Sequence, residues 1–385
     1  MTLRLLTAGE SHGPELVLVL DGMPAGVEVD GQEVDRQLRR RQGGYGRGAR
    51  STKVERDHGE IVSGVAQGMT TGAPIALRIR NLDYSNQPET RPVLTTPRPG
   101  HADLAGAIKY GLADLRQVRE RASARETAAR VAAGGVVRPL LARFGIQIGS
   151  FVTSVGGIAV RPDLARMDGV KLLAAADAAE GDPVRCADQA CSDLMVRAVD
   201  QARVARETLG GTFVVFAVGV PVGLGSHTQW DRRLDTAVAG AICSIPAVKG
   251  VEFGPAFEVA AMQGTEAQDA IVWRGDRLQR ETNFAGGLEG GMTDGQPLVV
   301  RAAMKPLSSV RAPLHSVDLE TRVASEPPYI RSDVCAVPAA AVVGEAALSL
   351  VLAQALVDRF GGDRLDAMLA AAEVAGGQRL ELTDP

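Results

Sequence analysis

A serine and a histidine lie next to each other in a glycine-rich turn near the start of the sequence. Ser11 and His12 stand in the segment GESHG, where a hydroxyl and an imidazole could donate to a phosphate or move a proton near neutral pH. The segment also fits the G-x-S-x-G pattern of hydrolase nucleophiles, which requires a helix after the turn. Pro14 and the alternating leucines of a strand follow instead, so we exclude a hydrolase elbow. A plain hairpin turn remains the alternative to a functional role.

A second histidine, His101, follows a turn-rich loop, although an isolated histidine in a loop commonly faces solvent. Further along, Ser123 could cap a helix together with Glu126 in a capping box. Arg121 and Arg125 stand beside that predicted helix N-terminus, where backbone N–H groups and the helix dipole favour an anion. This segment therefore predicts a helix start at which capping and anion binding are compatible.

Basic residues are concentrated in one segment, although the whole chain has a formal net charge of -4. Residues 36–56 contain eight basic side chains against one acid, Glu55. Glycines between the arginines let the backbone approach a ligand closely, and arginine forks bind phosphate and carboxylate through paired hydrogen bonds. We interpret the segment as a site for a small, multiply anionic ligand, with a solvated basic face as the alternative. Aromatic residues make up only 4% of the chain and only Tyr45 lies in this segment, which argues against nucleic acid.

The composition is that of a globular protein, with 45% apolar and 23% charged residues among 385. The start of the sequence lacks the basic and apolar regions of a secretory signal, and the best apolar stretch, residues 336–357, is interrupted by Glu345 and Gln354. We therefore expect a soluble cytoplasmic protein with no membrane partner. Four cysteines at irregular spacings predict neither a disulfide framework nor a metal site.

Antiparallel strand pairs alternate with long helices in the predicted architecture. A hairpin is predicted from residues 3–7 to Asp21, and a long helical stretch at 105–144 is weakened by Gly134-Gly135 and kinked or ended near Pro139. A strand follows from residue 146. Further helices are predicted at 192–209, 231–244 and from Pro338 to Gly361-Gly362. Two glycine-rich or proline-rich loops, near 81–100 and 283–297, are predicted to be mobile.

Seven segments, in this order along the chain, resemble motifs of the chorismate synthase family. They are GESHG, RRRQGGYGRGAR, RPGHAD, RASARETAARVAAG, NFAGGLEGGMTDGQP, AAMKP and RSDVCAVPAA. The resemblance implies a lyase of the shikimate pathway, which serves aromatic amino acid biosynthesis. Its reaction is the anti-1,4-elimination of phosphate from 5-enolpyruvylshikimate 3-phosphate to give chorismate, with reduced FMN and no net redox change. It also implies an α+β fold with one domain over 1–385, a β-α-β sandwich of antiparallel sheets around long central helices, and a homotetramer.

The resemblance assigns roles to individual residues. His12, with Ser11 next to it, would protonate the departing phosphate. His101 would protonate or orient the reduced flavin, and Asp333 would assist proton removal. The implied flavin contacts are Arg121, Ala122, Ser123, Pro246, Ala247, Gly290, Lys305, Pro306, Leu307, Ser308, Ser309 and Arg331. The implied binding residues for substrate or NADPH are Arg41, Arg47, Arg50 and Arg125. No metal is implied.

Three questions stay open at this point. The FMN could be reduced by NADPH at the enzyme itself or by an external flavin reductase. Relatives often carry an amide side chain where this chain has Pro246, so a side-chain hydrogen bond to the flavin is lost there. The alternatives to a synthase are a non-catalytic protein that binds flavin or polyanions and an NADPH-dependent flavin reductase.

Overall fold

The computed structural model describes residues 2–48, 56–86, 91–275, 277–312, 314–328 and 332–377. The strands of this part of the chain are β1 Arg4–Ala8, β2 Glu15–Asp21, β3 Glu60–Ile61, β4 Val65–Ala66, β5 Met69–Thr70, β6 Ile75–Arg80, β7 Gln147–Val155, β8 Ile158–Ala159, β9 Gly211–Val218, β10 Val248–Phe253, β11 Ile271–Arg274, β12 Arg277–Arg280, β13 Leu288–Glu289, β14 Met292–Thr293, β15 Leu298–Met304, β16 Ser316–Val317 and β17 Ala324–Ser325. The helices are α1 Gly31–Gln42, α2 Asp103–Tyr110, α3 Leu115–Arg121, α4 Thr127–Arg143, α5 Gly169–Glu180, α6 Gln189–Val204, α7 Leu234–Cys243, α8 Ala256–Val259, α9 Gly264–Ala267, α10 Val337–Phe360 and α11 Leu365–Gly377.

The first sheet has the antiparallel order β1-β2-β6-β3. Leu16, Leu18 and Leu20 alternate with less buried residues along β2, so one face of the strand is buried while the other is partly exposed. The predicted hairpin of β1 and β2 is confirmed, with Leu5 opposite Leu20.

The second sheet has the antiparallel order β10-β15-β9-β7-β8. Its strand β9 is buried without interruption from Phe213 to Val218, because helices cover both faces of the sheet. Helix α10 contacts β7 and β9, and α5 packs on β7 through a smaller cluster that contains Leu172 and Phe216. The two antiparallel sheets and the helices make this an α+β protein, as predicted.

Helices α4 and α10 contact each other, and each also contacts one sheet. Helix α4 contacts β2 and β6 of the first sheet, whereas α10 contacts the second. Gly134 lies where α4 meets α10, and a Cβ atom there would stand 2.6 Å from the Cβ of Ala346. Gly135 likewise faces Val34 of α1. The glycines are therefore sites of close helix packing and not interruptions, and Pro139 lies inside α4.

Several predicted boundaries were wrong. The single helical stretch at 105–144 is three helices, α2, α3 and α4, separated by short turns. Helix α1, which carries the first half of the basic segment, was not predicted, and α11 follows α10. Residues 283–297 contain the small hairpin β13-β14. The mobility of this loop and of the loop near 81–100 stays a prediction.

Helix α10 is long and apolar enough to cross a membrane by length and composition, which the reading of residues 336–357 did not predict. Within its most apolar 18-residue window, 83% of the residues are buried inside the fold. This burial, together with the contacts to α4, β7 and β9, makes α10 the type of apolar helix found in a protein core.

A buried carboxylate on α10 connects this helix to its neighbours. Glu345 accepts hydrogen bonds from Arg40 of α1 at 2.7 Å, Arg138 of α4 at 2.5 Å and Ser150 of β7 at 2.6 Å. Arg185 lies 3.5 Å away. Burial would raise the pKa of Glu345, but the surrounding arginines outweigh it and hold the pKa below its usual range. The charge is thus part of the core and does not interrupt it.

Candidate active site

A cavity of about 1360 Å³ opens beside the β1-β2 turn and is bounded by α3, the start of α4 and the loops that flank β10 and β15. Among the described residues that line it, eleven are Arg or Lys and four are Asp or Glu. The chain as a whole carries a net charge of -4, so positive charge is concentrated in this cavity. Such a lining attracts anions, and low-dielectric walls strengthen that attraction.

Most of the predicted site residues meet in this cavity although they come from distant parts of the chain. The lining includes Ser11, His12, Arg41, Arg47, His101, Ala122, Ser123, Arg125, Pro246, Ala247, Lys305, Leu307, Ser308, Ser309 and Asp333. Arg121, Gly290 and Pro306 do not line it. Arg50 and Arg331 lie outside the described residues.

His12 is placed by the turn between β1 and β2. The N–H of Ser11 donates to the carbonyl of Glu120 at 3.1 Å, and the Asn81 amide donates to the carbonyl of Gly13 at 2.8 Å. The Ser11 hydroxyl lies 3.1 Å from His12 Nδ1, and the Glu120 carboxylate lies 3.6 Å from the same atom. Burial raises the pKa of Glu120. A hydroxyl, an imidazole and a partly buried acid are therefore available for proton transfer at one point of the wall.

His101 lies on a buried carboxylate. Its Nδ1 is 2.5 Å from Oδ1 of Asp103, whose side chain is fully buried at the start of α2. Arg98 and Arg119 donate to Oδ2 of the same carboxylate, with Arg119 at 2.7 Å. Burial would raise the pKa of Asp103, but the hydrogen bonds from His101, Arg98 and Arg119 outweigh it and hold the pKa well below its usual range.

Asp333 is held at the cavity wall by the glycine-rich segment that follows α1. Arg47 donates to Oδ2 of Asp333, and the N–H of Gly48 donates to Oδ1 at 2.6 Å. Gly46 makes this approach possible, because its backbone has a φ of +91° and its carbonyl accepts from the N–H of Val334 at 2.8 Å. Arg47 therefore contacts another predicted site residue in addition to lining the cavity.

Arg41 and Arg125 are buried and fixed by protein groups. Arg125 donates to Asp57 at 2.6 Å, and Arg41 donates to the Thr127 hydroxyl at 2.9 Å. The same Asp57 carboxylate lies 3.8 Å from Arg41. These contacts hold both guanidinium groups in defined positions along the wall.

The predicted capping box at the start of α4 is only half formed. The Ser123 hydroxyl accepts from the N–H of Arg125 at 3.2 Å and caps a short 3₁₀ turn that leads into α4. The Glu126 carboxylate accepts instead from the Thr7 hydroxyl at 2.8 Å and from Arg130. Glu126 therefore ties α4 to β1 and does not complete the box.

The predicted flavin contacts divide into cavity residues and supporting residues. Lys305 donates to the carbonyl of Gly100 at 2.9 Å, close to His101 along the chain. Ala247 lines the cavity with a φ of +70°, and its carbonyl accepts from the N–H of Lys305. An alanine in this conformation is strained, as residues at binding sites often are. Arg121 donates to the carbonyls of Thr7 and Gly9 and so braces the β1-β2 turn.

Several residues in or behind the cavity wall were missed by the sequence reasoning. Asp103 and Arg98 stand in the quoted motif RPGHAD, and Glu120 directly precedes Arg121, but only a contact could show their roles. The cationic lining residues Arg91, Arg116, Arg119, Arg203, Arg206 and Arg311 were also missed. Among the described residues, no group of three His, Cys, Asp or Glu side chains is arranged to hold a metal.

Comparison with known proteins gives one consistent result. The family model described as chorismate synthase matches residues 3–357. A chorismate synthase from Desulforudis audaxviator is 50% identical over 378 residues, which covers 95% of each chain. One from Moorella thermoacetica is 52% identical over 373 residues, covering 94% of this chain and 95% of its own. A crystal structure of chorismate synthase superposes with a TM-score of 0.81 at 42% identity and covers 97% of each chain.

Proposed function

Since this chain belongs to the chorismate synthase family, we propose that its cavity binds 5-enolpyruvylshikimate 3-phosphate together with reduced FMN and eliminates phosphate from the substrate. The chain is a carbon–oxygen lyase of the shikimate pathway, which leads to the aromatic amino acids. The proposed reaction is an anti-1,4-elimination that yields chorismate and phosphate without net redox change.

The charge of the cavity is the observation that carries this proposal. The substrate has two carboxylates and one phosphate, and FMN adds a second phosphate. Among the described lining residues, eleven cationic side chains against four acids suit such a pair of anionic ligands. The volume of about 1360 Å³ also exceeds the range of about 300–1,000 Å³ that is usual for one ligand.

The residues present fit a flavin phosphate and ring. Lys305, Ser308, Ser309 and Ser123 offer a cation and hydroxyl donors, and Ala122 and Ala247 offer backbone groups at the wall. When bound, reduced FMN supplies electron density during the elimination and recovers it afterwards. We propose that Arg121 and Pro306, which do not line the cavity, support the residues that do. Gly290 and Arg331 stay predicted contacts.

The roles of the chain's own residues follow from their contacts. His12, beside Ser11 and Glu120, donates a proton to the oxygen of the departing phosphate, where negative charge develops. His101 orients or protonates the reduced flavin, and Asp333 assists removal of the proton that the elimination releases. Arg41, Arg47 and Arg125 attract and orient the anionic groups, and Arg50 is proposed to join them.

The remaining proposals concern the whole molecule. The two sheets and the helices between them are proposed to form a β-α-β sandwich, and four such chains are proposed to form a homotetramer in the cytoplasm. NADPH at the enzyme and an external flavin reductase both remain as sources of the electrons on FMN.

Binding of both ligands in one cavity is tested by adding the substrate to the complex with oxidised FMN. We expect the flavin absorption spectrum to change and the FMN dissociation constant to fall, because the two ligands then lie in contact. Shikimate and inorganic phosphate serve as controls that lack part of the substrate's charge. Displacement of FMN by the substrate, or an unchanged spectrum with substrate bound, would contradict the proposal.

A further inference from the structure

The strongest unassigned feature of the site is the carboxylate beneath His101. The Asp103 side chain has no solvent exposure, and its two oxygens have different closest partners. Oδ1 lies 2.5 Å from His101 Nδ1, with only a longer contact of 3.4 Å to Arg98. Oδ2 receives the shorter bonds from Arg98 and Arg119 and the backbone N–H of Arg98 at 3.1 Å.

This division of partners determines which ring nitrogen of His101 carries a proton. An ionised carboxylate can only accept hydrogen bonds, so Nδ1 must be the donor. The other ring nitrogen, Nε2, is then left for a ligand in the cavity that His101 lines. A buried carboxylate on Nδ1 also fixes the plane of the ring.

We propose that Asp103 is a positioning residue, which fixes His101 in the Nδ1–H tautomer and presents Nε2 to the ligands. The consequence for catalysis rests on the proposed role of His101. A purely structural alternative is that Asp103 serves only to neutralise Arg98 and Arg119 inside the protein. Arg98 also donates to the Ser309 hydroxyl at 2.6 Å, so the cluster could stabilise the cavity wall without acting on His101.

The variant Asp103→Asn separates these two roles. Two guanidinium groups and a backbone N–H face the Oδ2 position, so the amide oxygen must occupy it and the amide NH₂ must face His101. The NH₂ group can only donate there, which forces Nδ1 to become an acceptor and moves the proton to Nε2. The variant Arg119→Gln removes a charge from the same cluster but leaves the bond between Asp103 and His101, and it is the matched control.

The tautomer is measured on the full-length protein without flavin or substrate, by solid-state NMR of chains labelled with ¹³C,¹⁵N-histidine. The chain has five histidines, and the His101 signal is assigned by its loss in His101→Gln. At about pH 8.5, above the ordinary histidine range, we expect Nδ1–H in the wild type and in Arg119→Gln, and Nε2–H in Asp103→Asn. If Asp103→Asn folds poorly, Asp103→Asn/Arg119→Gln restores the cluster's net charge and should show the same change.

Turnover provides the second measurement. We expect kcat of Asp103→Asn to fall about 100-fold or more with little change in KM, as when a histidine is held in the wrong tautomer. Two NMR results would overturn the role of Asp103: an unchanged His101 tautomer in Asp103→Asn, or the same change of tautomer in Arg119→Gln. Absence of turnover in the wild type would instead count against the proposed function, because the NMR comparison involves no reaction.

Discussion

The two cavity histidines stand next to carboxylates in opposite electrostatic environments. Asp103, beside His101, receives bonds from two arginines, and its pKa is held well below the usual range despite its burial. Burial raises the pKa of Glu120, beside His12, because the nearby arginines compensate only in part. Pairs of groups whose pKa values are moved apart in this way commonly have different roles in acid–base catalysis. The arrangement suits a proton donor at His12 and a fixed, carboxylate-backed ring at His101.

Replacement of either histidine by alanine tests these roles. We expect His12→Ala and His101→Ala each to lower kcat by a factor of about 10² to 10⁴, the usual contribution of a positioned acid or base. His58→Ala is the matched control, because His58 is 68% exposed, pairs with Asp35 and does not line the cavity. Losses below about tenfold at both cavity histidines, measured with reduced FMN under anaerobic conditions, would refute the assignment.

Sequence reasoning reached those residues whose local surroundings are unusual. His12 stands between glycines, His101 follows a turn, and arginines in a glycine-rich segment suggest an anion site. The contact partners of these residues could not be predicted from the sequence, because the contacts join positions that are far apart along the chain. Arg98 meets Ser309 across 211 positions, and Arg47 meets Asp333 across 286. Such pairs depend on the tertiary fold and leave no local pattern.

At the scale of elements, α10 shows both what a sequence pattern can predict and what it cannot. Its bounds were predicted because Pro338 suits the first turn of a helix and Gly361 suits the position after its end. The role of Glu345 was not predicted, because a charge within an apolar run resembles an interruption. In the fold, three arginines from other parts of the chain face that charge and keep it in the core.

Loss of this charge is predicted to destabilise the protein. Glu345→Gln leaves the partly buried guanidinium groups of Arg40 and Arg138 without the buried counter-ion that they share, and breaking a buried ion pair costs about 3–5 kcal/mol. The free energy of unfolding is measured by urea denaturation. Glu180→Gln serves as the comparison, because its carboxylate pairs with Arg40 and Arg185 but is 42% exposed. An equal or smaller loss in Glu345→Gln than in Glu180→Gln would contradict this account.

The lowered pKa of Glu180 also leads us to predict that stability depends on pH. Burial would raise its pKa, but the hydrogen bond from Arg40 and the charge of Arg185 lower the pKa from 4.5 to about 2. In this range the unfolded chain binds the proton that the folded chain does not, so the stabilisation is present above pH 4.5 and is lost as pH falls towards 2. The slope of unfolding free energy against pH between these values should therefore be smaller in Glu180→Gln than in the wild type. Equal slopes would show that Glu180 titrates alike in both states.

At the scale of the whole molecule, the charge of the cavity is opposite in sign to the net charge of the chain. The protein is acidic overall, yet eleven of its described cationic residues line one cavity formed by segments from Ser11 to Val343. The α+β class, the β1-β2 hairpin and the family were predictable from local patterns and ordered motifs. The packing of α4 on α10 through Gly134 was not, because the glycine pair resembles a helix break until the neighbouring helix is present.

The central claim is that this cavity eliminates phosphate from the substrate without consuming the flavin. The most direct measurement is anaerobic turnover of 5-enolpyruvylshikimate 3-phosphate with chemically reduced FMN, in which chorismate absorbance, phosphate and the redox state of the flavin are followed together. We predict chorismate and phosphate in equal amounts over many turnovers, with the FMN still reduced at the end. Oxidation of one flavin for each product formed, or no chorismate while FMN and substrate are bound, would contradict the account.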